Sequence, residues 1–251
     1  MNTHPLISTI AAAALLAGLA PPGIAGTLDL EAESGAAWFS RNDVRIPGDT
    51  GTRFDLTELT GTGPDAYARL HGTYEFNSRH ALRFTIAPLR ASGTGTLDRD
   101  VRFDGSTFRE GARTRATYRF DTYRLTYRWM FQRGDPWDLG VGVAVLVRDA
   151  EIELEQGSLR ESDDDLGLVP LLHLYGEYRA SERTSVVLDL EGAAAPQGRA
   201  IDAAVKFKHQ WPSGWHAAIG YRTIEGGADN DNVYTFAWVH QALLSVGYEF
   251  Q

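Results

Sequence analysis

From Leu28 to Phe250 apolar and polar residues alternate with a period of two, interrupted at intervals by turn-forming residues. A period of two sends successive side chains to opposite faces of a strand, so each run predicts an amphipathic β-strand. The longest pair of runs lies mid-chain. Tyr123, Leu125, Tyr127, Trp129 and Phe131 alternate with Thr122, Arg124, Thr126 and Arg128. After Gln132-Arg133-Gly134-Asp135-Pro136, Leu139, Val141, Val143, Val145 and Val147 alternate with Asp138, Gly140, Gly142 and Ala144. Two such runs around one short turn predict a β-hairpin. A face that holds Arg124 and Arg128 is a dry core only if those charges are paired.

Three more strands precede the hairpin, in Leu28 to Trp38, Ala66 to Phe76 and Leu82 to Ile86. Five follow it, in Leu166 to Tyr178, Val186 to Leu190, Ile201 to Phe207, Trp215 to Tyr221 and Phe236 to Phe250. The pattern therefore predicts an all-β chain of about ten antiparallel strands, with eight and twelve as neighbouring even counts. The links alternate in length. Tight turns stand at Asn77-Ser78-Arg79-His80, Arg133-Gly134-Asp135-Pro136, Ala180-Ser181-Glu182-Arg183 and Pro212-Ser213-Gly214. The other links are longer, from Asn42 to Pro64, Ala91 to Gly111, Asp149 to Asp165 and Glu225 to Asn232, with Ala195 to Arg199 a short member of that set.

Composition narrows the class. The 251 residues include no cysteine, which excludes a disulfide framework, a thiol nucleophile, a cysteine zinc site and a lipidated cysteine. Ile10 to Ala20 is an apolar run too short to span a bilayer, and Gly23-Ile24-Ala25 offers the small residues a signal peptidase requires. Residues 1–25 are read as a cleaved signal peptide and 26–251 as one barrel domain. Beyond Ala25 no uncharged apolar run is long enough for a transmembrane helix. The net charge of −9 lies wholly after residue 25 and argues against nucleic acid as a partner.

Alternation alone fits a soluble lipocalin-like barrel as well as a membrane barrel; the two differ in which face points out. Three features favour the membrane. Short turns at one end and long loops at the other are the asymmetry of an outer-membrane barrel. Aromatic residues cluster near the turn ends of the apolar faces, at Tyr74, Phe76, Trp129, Phe131, Trp137, Trp211, Trp215, Tyr248 and Phe250, as in a bilayer girdle. The polar faces carry both signs of charge, which suits an interior of ion pairs and water. With its amphipathic last strand, Val246-Gly247-Tyr248-Glu249-Phe250, and Gln251 after the phenylalanine, the chain resembles the bacterial outer-membrane β-barrel proteins, among them the small OmpA-, OmpX- and OmpW-like barrels. The resemblance implies a closed up-and-down transmembrane β-barrel in the outer membrane. It further implies a monomer in contact with outer-membrane lipid and lipopolysaccharide, assembled through recognition of its last strand.

The polar-face positions expected in the lumen are Arg69, His71, Glu75, Arg83, Arg124, Arg128, His173, Glu177, Asp189, Glu191, Lys206, Lys208, His216 and Arg222. In a barrel this narrow they are expected to pair across the interior. The function expected is structural or surface-interacting, without catalysis or cofactor. A narrow channel for small polar solutes is the main alternative, and a hydrolase acting on lipid A or peptide the second. An omptin-like protease would need paired aspartates and an Asp-His pair at the loop rim, where Asp163-Asp164-Asp165 stand without a histidine. A lipid A deacylase would need a histidine and a serine together on the lipid face. His240 projects to that face, but no His-x-Ser triplet is present. Asp163, Asp164 and Asp165 are also the weak candidates for a divalent cation, within an acidic loop running from Asp149.

The parity of the apolar set changes before Thr122, to Ala116, Tyr118 and Phe120, and again after Arg148, to Ala150, Ile152 and Leu154. Both changes are about equally far from the turn at Asp135. They predict facing β-bulges at Asp121 and Arg148, where the hairpin leaves lipid for water, with Arg113, Arg115 and Arg119 beyond them able to pair with Asp149, Glu151 and Glu153.

Overall fold

The computed structural model describes residues 26–250, so the predicted signal peptide lies outside the described residues. In chain order the elements are β1 (Thr27–Arg45), β2 (Phe54–Asp55), a one-turn helix α1 (Thr57–Thr60), β3 (Asp65–Asn77), β4 (His80–Ala87), β5 (Arg90–Thr96), β6 (Val101–Phe103) and β7 (Ser106–Phe108). They continue with β8 (Arg113–Gln132), β9 (Trp137–Gln156), β10 (Leu159–Arg179), β11 (Thr184–Ala195), β12 (Gly198–Gln210), β13 (Trp215–Asp229) and β14 (Tyr234–Phe250). Each barrel strand is antiparallel to the next, in the order β1, β3, β4, β8, β9, β10, β11, β12, β13, β14. β14 closes on β1 from Leu28 opposite Phe250 up to Arg45 opposite Tyr234. The result is a closed up-and-down barrel of ten strands, as the alternation predicts.

Exposure decides which face is outside. Leu172, Leu168 and Val143 are 68%, 69% and 56% exposed, whereas Glu33, His173 and Glu191 are 1% exposed. The apolar face points outward and the charged face inward, the reverse of a water-soluble barrel and the order that hydrocarbon demands. At the turn end the aromatic residues form a chain of ring contacts: Tyr74 with Phe76 at 6.2 Å, Trp129 with Phe131 at 6.2 Å, Trp137 with Tyr178 at 5.0 Å, and Tyr248 with both Trp215 at 5.1 Å and Phe250 at 4.7 Å. Gly247 leaves the room in which the His216 ring lies; a Cβ there would come within 2.3 Å of it.

Much of what the sequence marks as long loops is strand. β9 and β10 continue as a ladder to Gln156 opposite Leu159, so the acidic segment from Asp149 to Asp165 is the top of a hairpin. β8 and β9 face each other without a break through Asp121 opposite Asp149 and Thr122 opposite Arg148, and no bulge lies there. From Thr114 to Met130 on β8 and along β9 the even-numbered residues point inward; what changes is the surroundings. Towards the turn end they are Arg124, Thr126 and Arg128 in a polar lumen. Towards the loop end they are Ala116, Tyr118, Ile152 and Leu154, buried in an apolar core. The parity of the sequence changes because lipid gives way to water outside, while charge gives way to hydrocarbon inside.

That core fills the loop end of the barrel. Phe39, Val44, Phe54, Leu56, Leu59, Phe103 and Phe108 are all buried in it, with edge-on rings at Phe39 and Tyr118 (5.7 Å) and at Phe54 and Phe103 (6.5 Å). Helix α1 lies against β5 over Gly93 and Gly95, where a Cβ would meet the backbone oxygens of Leu59 and Glu58 at 2.4 and 2.6 Å. The register irregularities are at Phe39/Arg41, Glu75/Asn77 and Met130/Gln132.

An arginine at Val143, in the middle of the apolar outer band, is expected to destabilise the folded barrel by about 2 to 4 kcal/mol. Equilibrium unfolding in lipid vesicles, followed by gel mobility of unheated samples, measures it; Val143→Ala serves as the reference.

Candidate functional site

The interior has three storeys. The lowest, at the turn end, is a polar vestibule of about 300 Å³ whose lining includes Asp29, Glu31, Glu75, Arg128, Lys208 and His216. His216 Nε2 is 2.6 Å from Asp29, Arg133 holds Glu75 at 2.8 Å, and Arg128 stacks over the Tyr175 ring at 4.2 Å. Glu177 accepts hydrogen bonds from Ser185 and Tyr175 at 2.6 and 2.7 Å. Lys208 lines this space, and none of the ion pairs found among the described residues includes it.

The middle storey is a layer of buried ion pairs that crosses the lumen. Asp202 on β12 is the hub. It accepts from Arg222 at 2.6 Å, from both terminal nitrogens of Arg69 at 2.9 Å, and from Arg124 at 3.1 Å. Arg222 also reaches Glu33 at 3.0 Å, and Lys206 holds Glu31 at 2.6 Å and Glu33 at 2.9 Å. Arg124 pairs with Glu191, while Arg83 pairs with Asp189 and reaches Glu191 at 2.9 Å. His71 contacts Thr85 at 2.9 Å. The strands that meet here come from both ends of the chain, because closure brings β1 beside β14 and within reach of Lys206 on β12 and Arg222 on β13.

His173, Asp189 and Glu191 place ligand-type atoms close enough together to hold a metal ion. His173 Nδ1 is 3.6 Å from Asp189 and 3.5 Å from Glu191. The Arg83 guanidinium already bridges those two carboxylates, so a divalent cation would have to displace it and meet Arg124 as well. The two carboxylates are already paired by Arg83 and Arg124.

The network uses carboxylates outside the expected set: Asp29, Glu31, Glu33 and Asp202. Their signal was in the sequence. Each lies on the polar parity of its strand, and the expected set held more guanidinium and ammonium groups than carboxylates, an imbalance that a buried layer cannot carry.

The uppermost storey is an apolar cavity of about 60 Å³ under the loop-end core. Its walls include Tyr118, Phe120, Leu146, Leu171, Ile224 and Val239, and its floor is Arg69, Arg124 and Asp202 of the layer below.

On the head, the loop-end part of the barrel beyond Asp121 and Arg148, Asp164 points to the face opposite Asp163 and Asp165, so the three aspartates do not converge. Asp165 pairs with Arg148. Outside, Arg119 holds Asp149 at 2.6 Å and Glu151 at 2.9 Å, and Arg160 holds Glu153 at 2.6 Å. Arg115 stands opposite Glu155 in the ladder. Burial lifts the Asp163 carboxyl above the ordinary aspartate range, and Asp104, Asp164 and Asp165 add to the rise.

One contact has no local sequence signature. On the lipid-facing side Ser40 Oγ is 2.9 Å from His240 Nε2, and His240 Nδ1 is hydrogen-bonded to the Tyr221 hydroxyl. Ser40 is the extra residue of the β1 irregularity at Phe39/Arg41, and 200 positions separate it from His240. Trp38, Trp238 and Tyr221 surround the imidazole, with ring centroids 5.8, 5.4 and 6.0 Å away.

No family model matches the chain, and no curated protein matches it. Among solved structures it is similar to the outer membrane protease OmpT from Escherichia coli, at 8% identity over 89% of this chain and 97% of that one, with a TM-score of 0.58. It is also similar to the translocator domain of the autotransporter NalP from Neisseria meningitidis (11% identity, 96% and 93% covered, TM-score 0.43). A third is the attachment invasion locus protein Ail of Yersinia pestis, in complex with a heparin analogue (11% identity, 90% and 99% covered, TM-score 0.42). At these identities the likeness is one of fold.

Three substitutions test the site. Asp202→Ala leaves three guanidinium groups without their shared acceptor and is expected to cost about 3 to 5 kcal/mol. Arg199→Ala, which breaks an exposed pair with Glu225, is expected to cost about 1 kcal/mol or less in the same unfolding assay. Because the folded Asp163 carboxyl titrates above its unfolded value, its contribution favours folding at low pH and is lost as pH rises through the raised value. Asp163→Asn is therefore expected to flatten the decline of stability across that interval, measured as unfolding midpoint against pH.

Proposed function

We propose that this chain, which has the fold of the bacterial outer-membrane β-barrel proteins, is a non-conducting barrel that acts through its surface and presents the β-rich head outside the cell. The observation that carries this is the transverse layer of ion pairs around Asp202. A solute rising through the vestibule meets Arg222, Arg69, Arg124 and Glu191, each buried and each bonded to partners on other strands. Above that layer the loop-end core closes the barrel a second time with hydrocarbon. The outer face of the head carries both signs of charge, with Arg90 beside Asp121, Arg119 beside Asp149 and Glu151, and Arg160 beside Glu153. Such a surface suits lipopolysaccharide, whose phosphates take the arginines and whose bridging divalent cations take the acids. The chain acts as a monomer, with the amphipathic β14 and Phe250 as the segment read during assembly.

A second reading rests on the Ser40–His240 contact. A serine within reach of a histidine on a lipid-facing surface is the beginning of an acyl hydrolase. The group that orients His240 is the Tyr221 phenol rather than a carboxylate, which gives less support to an imidazolium. A peptide hydrolase has less in its favour. Among the described residues the histidines lie in the lumen (His71, His173, His216), at the turn end (His80, His209) or on the lipid face (His240), and the head has none to pair with an aspartate.

Planar-bilayer recording tests the first reading. Purified, heat-modifiable barrel is expected to give no single-channel steps, and steady unitary conductance would replace it with the channel alternative. In lipid A vesicles no fatty acid release is expected. Release that disappears in Ser40→Ala and in His240→Ala would establish the hydrolase instead.

A further inference from the structure

The ladder between β10 and β11 ends early. It runs from Arg179 opposite Ser185 up to Leu172 opposite Gly192 and stops. The apolar outer face of β10 continues past that point to Leu168 and Leu166, and its ladder to β9 continues to Leu159. On the expected crossing, which ends at Arg148 opposite Gly167, the stretch from Gly167 to Leu171 lies at the level of the outer leaflet with no β11 partner. Leu166, Leu168 and Leu172 beside it are the most exposed large apolar residues of the barrel, at 73%, 69% and 68%. Pro170 stands in the middle of this edge and has no N–H to leave unsatisfied, as expected for a strand edge that lacks a neighbour.

A second seam opens on the other side of the same strands. β3 and β4 pair only up to Leu70 opposite Ile86, after which β5 stays with β8 and β3 stays with β1. From this level upward the barrel is two leaves, β5–β8–β9–β10 and β11–β12–β13–β14–β1–β3, and the apolar cavity lies where they part. Leu146, Leu171 and Phe120 come from one leaf, and Ala200, Ile224 and Val239 from the other. The cavity is several times larger than the 10–15 Å³ or so that one water needs, and above its charged floor its walls are mainly hydrocarbon, with Thr122 and Gln241 among them. Leu171 ties cavity to seam: it lines the cavity and occupies the first rung above the last pair of the β10–β11 ladder.

We infer that the cavity takes the end of an acyl chain from an outer-leaflet lipid, which enters sideways through the β10–β11 seam. The occupant follows from continuity. At this level the seam meets hydrocarbon, the cavity behind it is apolar, and the polar route from below is blocked by the ion pairs of Arg124 and Arg69. The guanidinium floor ends the apolar space, so the site receives a chain terminus and does not pass a lipid through. This rests on the barrel standing in the membrane, and it is independent of whether the lumen conducts.

The test uses phosphatidylcholine vesicles doped with a phospholipid that carries a diazirine at the end of one acyl chain, with full-length protein and peptide mapping after irradiation. Label is expected on Leu146, Leu171 or Ile224 as well as on the outward Leu172. Because the chain has no native cysteine, Leu171→Cys with Ala193→Cys places one disulfide across the seam, at the rung where the ladder would continue. Oxidised, this variant is expected to lose the interior label, down to the level at Val187 below the ion-pair layer, and to regain it on reduction. A disulfide between Ala68→Cys and Pro88→Cys, across the other seam, is expected to leave it unchanged. Ala237→Phe, on β14, which borders neither seam, fills the cavity and is expected to abolish the interior label while Leu172 is still labelled. Interior label equal in oxidised and reduced Leu171/Ala193 protein, or label confined to outward residues in the parent, overturns the inference. Absence of label at Leu172 as well would instead overturn the membrane placement itself.

Discussion

Everything in this fold follows from the strand edges. In hydrocarbon no water is present to satisfy an unpaired N–H or C=O, so a membrane sheet must close on itself. Closure is made here by β14 against β1, over the whole length of both strands. The same closure sets the chemistry inside. Once the apolar face is committed to lipid, the opposite parity of every strand is delivered to a lumen too narrow for bulk water, and whatever charges it carries must find one another. Asp202, Glu33 and Glu191 do so with arginines from β3, β8 and β13, so the ion-pair layer is a consequence of closure and in turn ties the walls together.

Such a layer contributes specificity more than net stability. Desolvation of buried charges offsets most of their attraction, while loss of one partner strands the others. An interior built this way tolerates only one register: a slip of one residue on any strand would send its arginines into lipid and its leucines into the layer. The apolar core at the loop end serves the same purpose by other means. It packs Phe54, Phe103 and Phe108 into the head and leaves the charges below without a path to water from above.

Strand number and the polar parity of the strands were legible because each depends on a period of two and on nothing remote. The carboxylates that complete the layer lay on the same parity and were recoverable from charge balance. Two things were not legible. The parity changes at Phe120 and Ala150 look like breaks in the backbone, since alternation records only which face is apolar and not what each face touches. At the loop end both environments invert together, and an unbroken ladder carries an inverted pattern. The Ser40–His240 contact was hidden for a different reason: its partners come from the first and last strands, which only closure brings together, and Ser40 faces His240 through an irregularity that alternation cannot forecast.

The seams show what closure leaves unfinished. The barrel buries an apolar core at its loop end, and near that level the β10–β11 and β3–β4 ladders stop. The separation falls where the shorter hairpin β11–β12 meets the longest, β9–β10: the ladder between them ends at Gly192, β11 goes on to Ala195 paired with β12 alone, and β10 goes on paired with β9 alone. Placed above the membrane this would cost nothing, because water satisfies the freed groups. Its lower end instead lies beside hydrocarbon, where an orphan backbone group costs several kcal/mol. Pro170 at that point removes one such donor, and Gly167 at the boundary admits the Arg148 side chain, whose guanidinium would be 3.0 Å from a Cβ there. An edge in lipid that is blunted but left open, with an apolar space behind it, is the arrangement expected of an entrance.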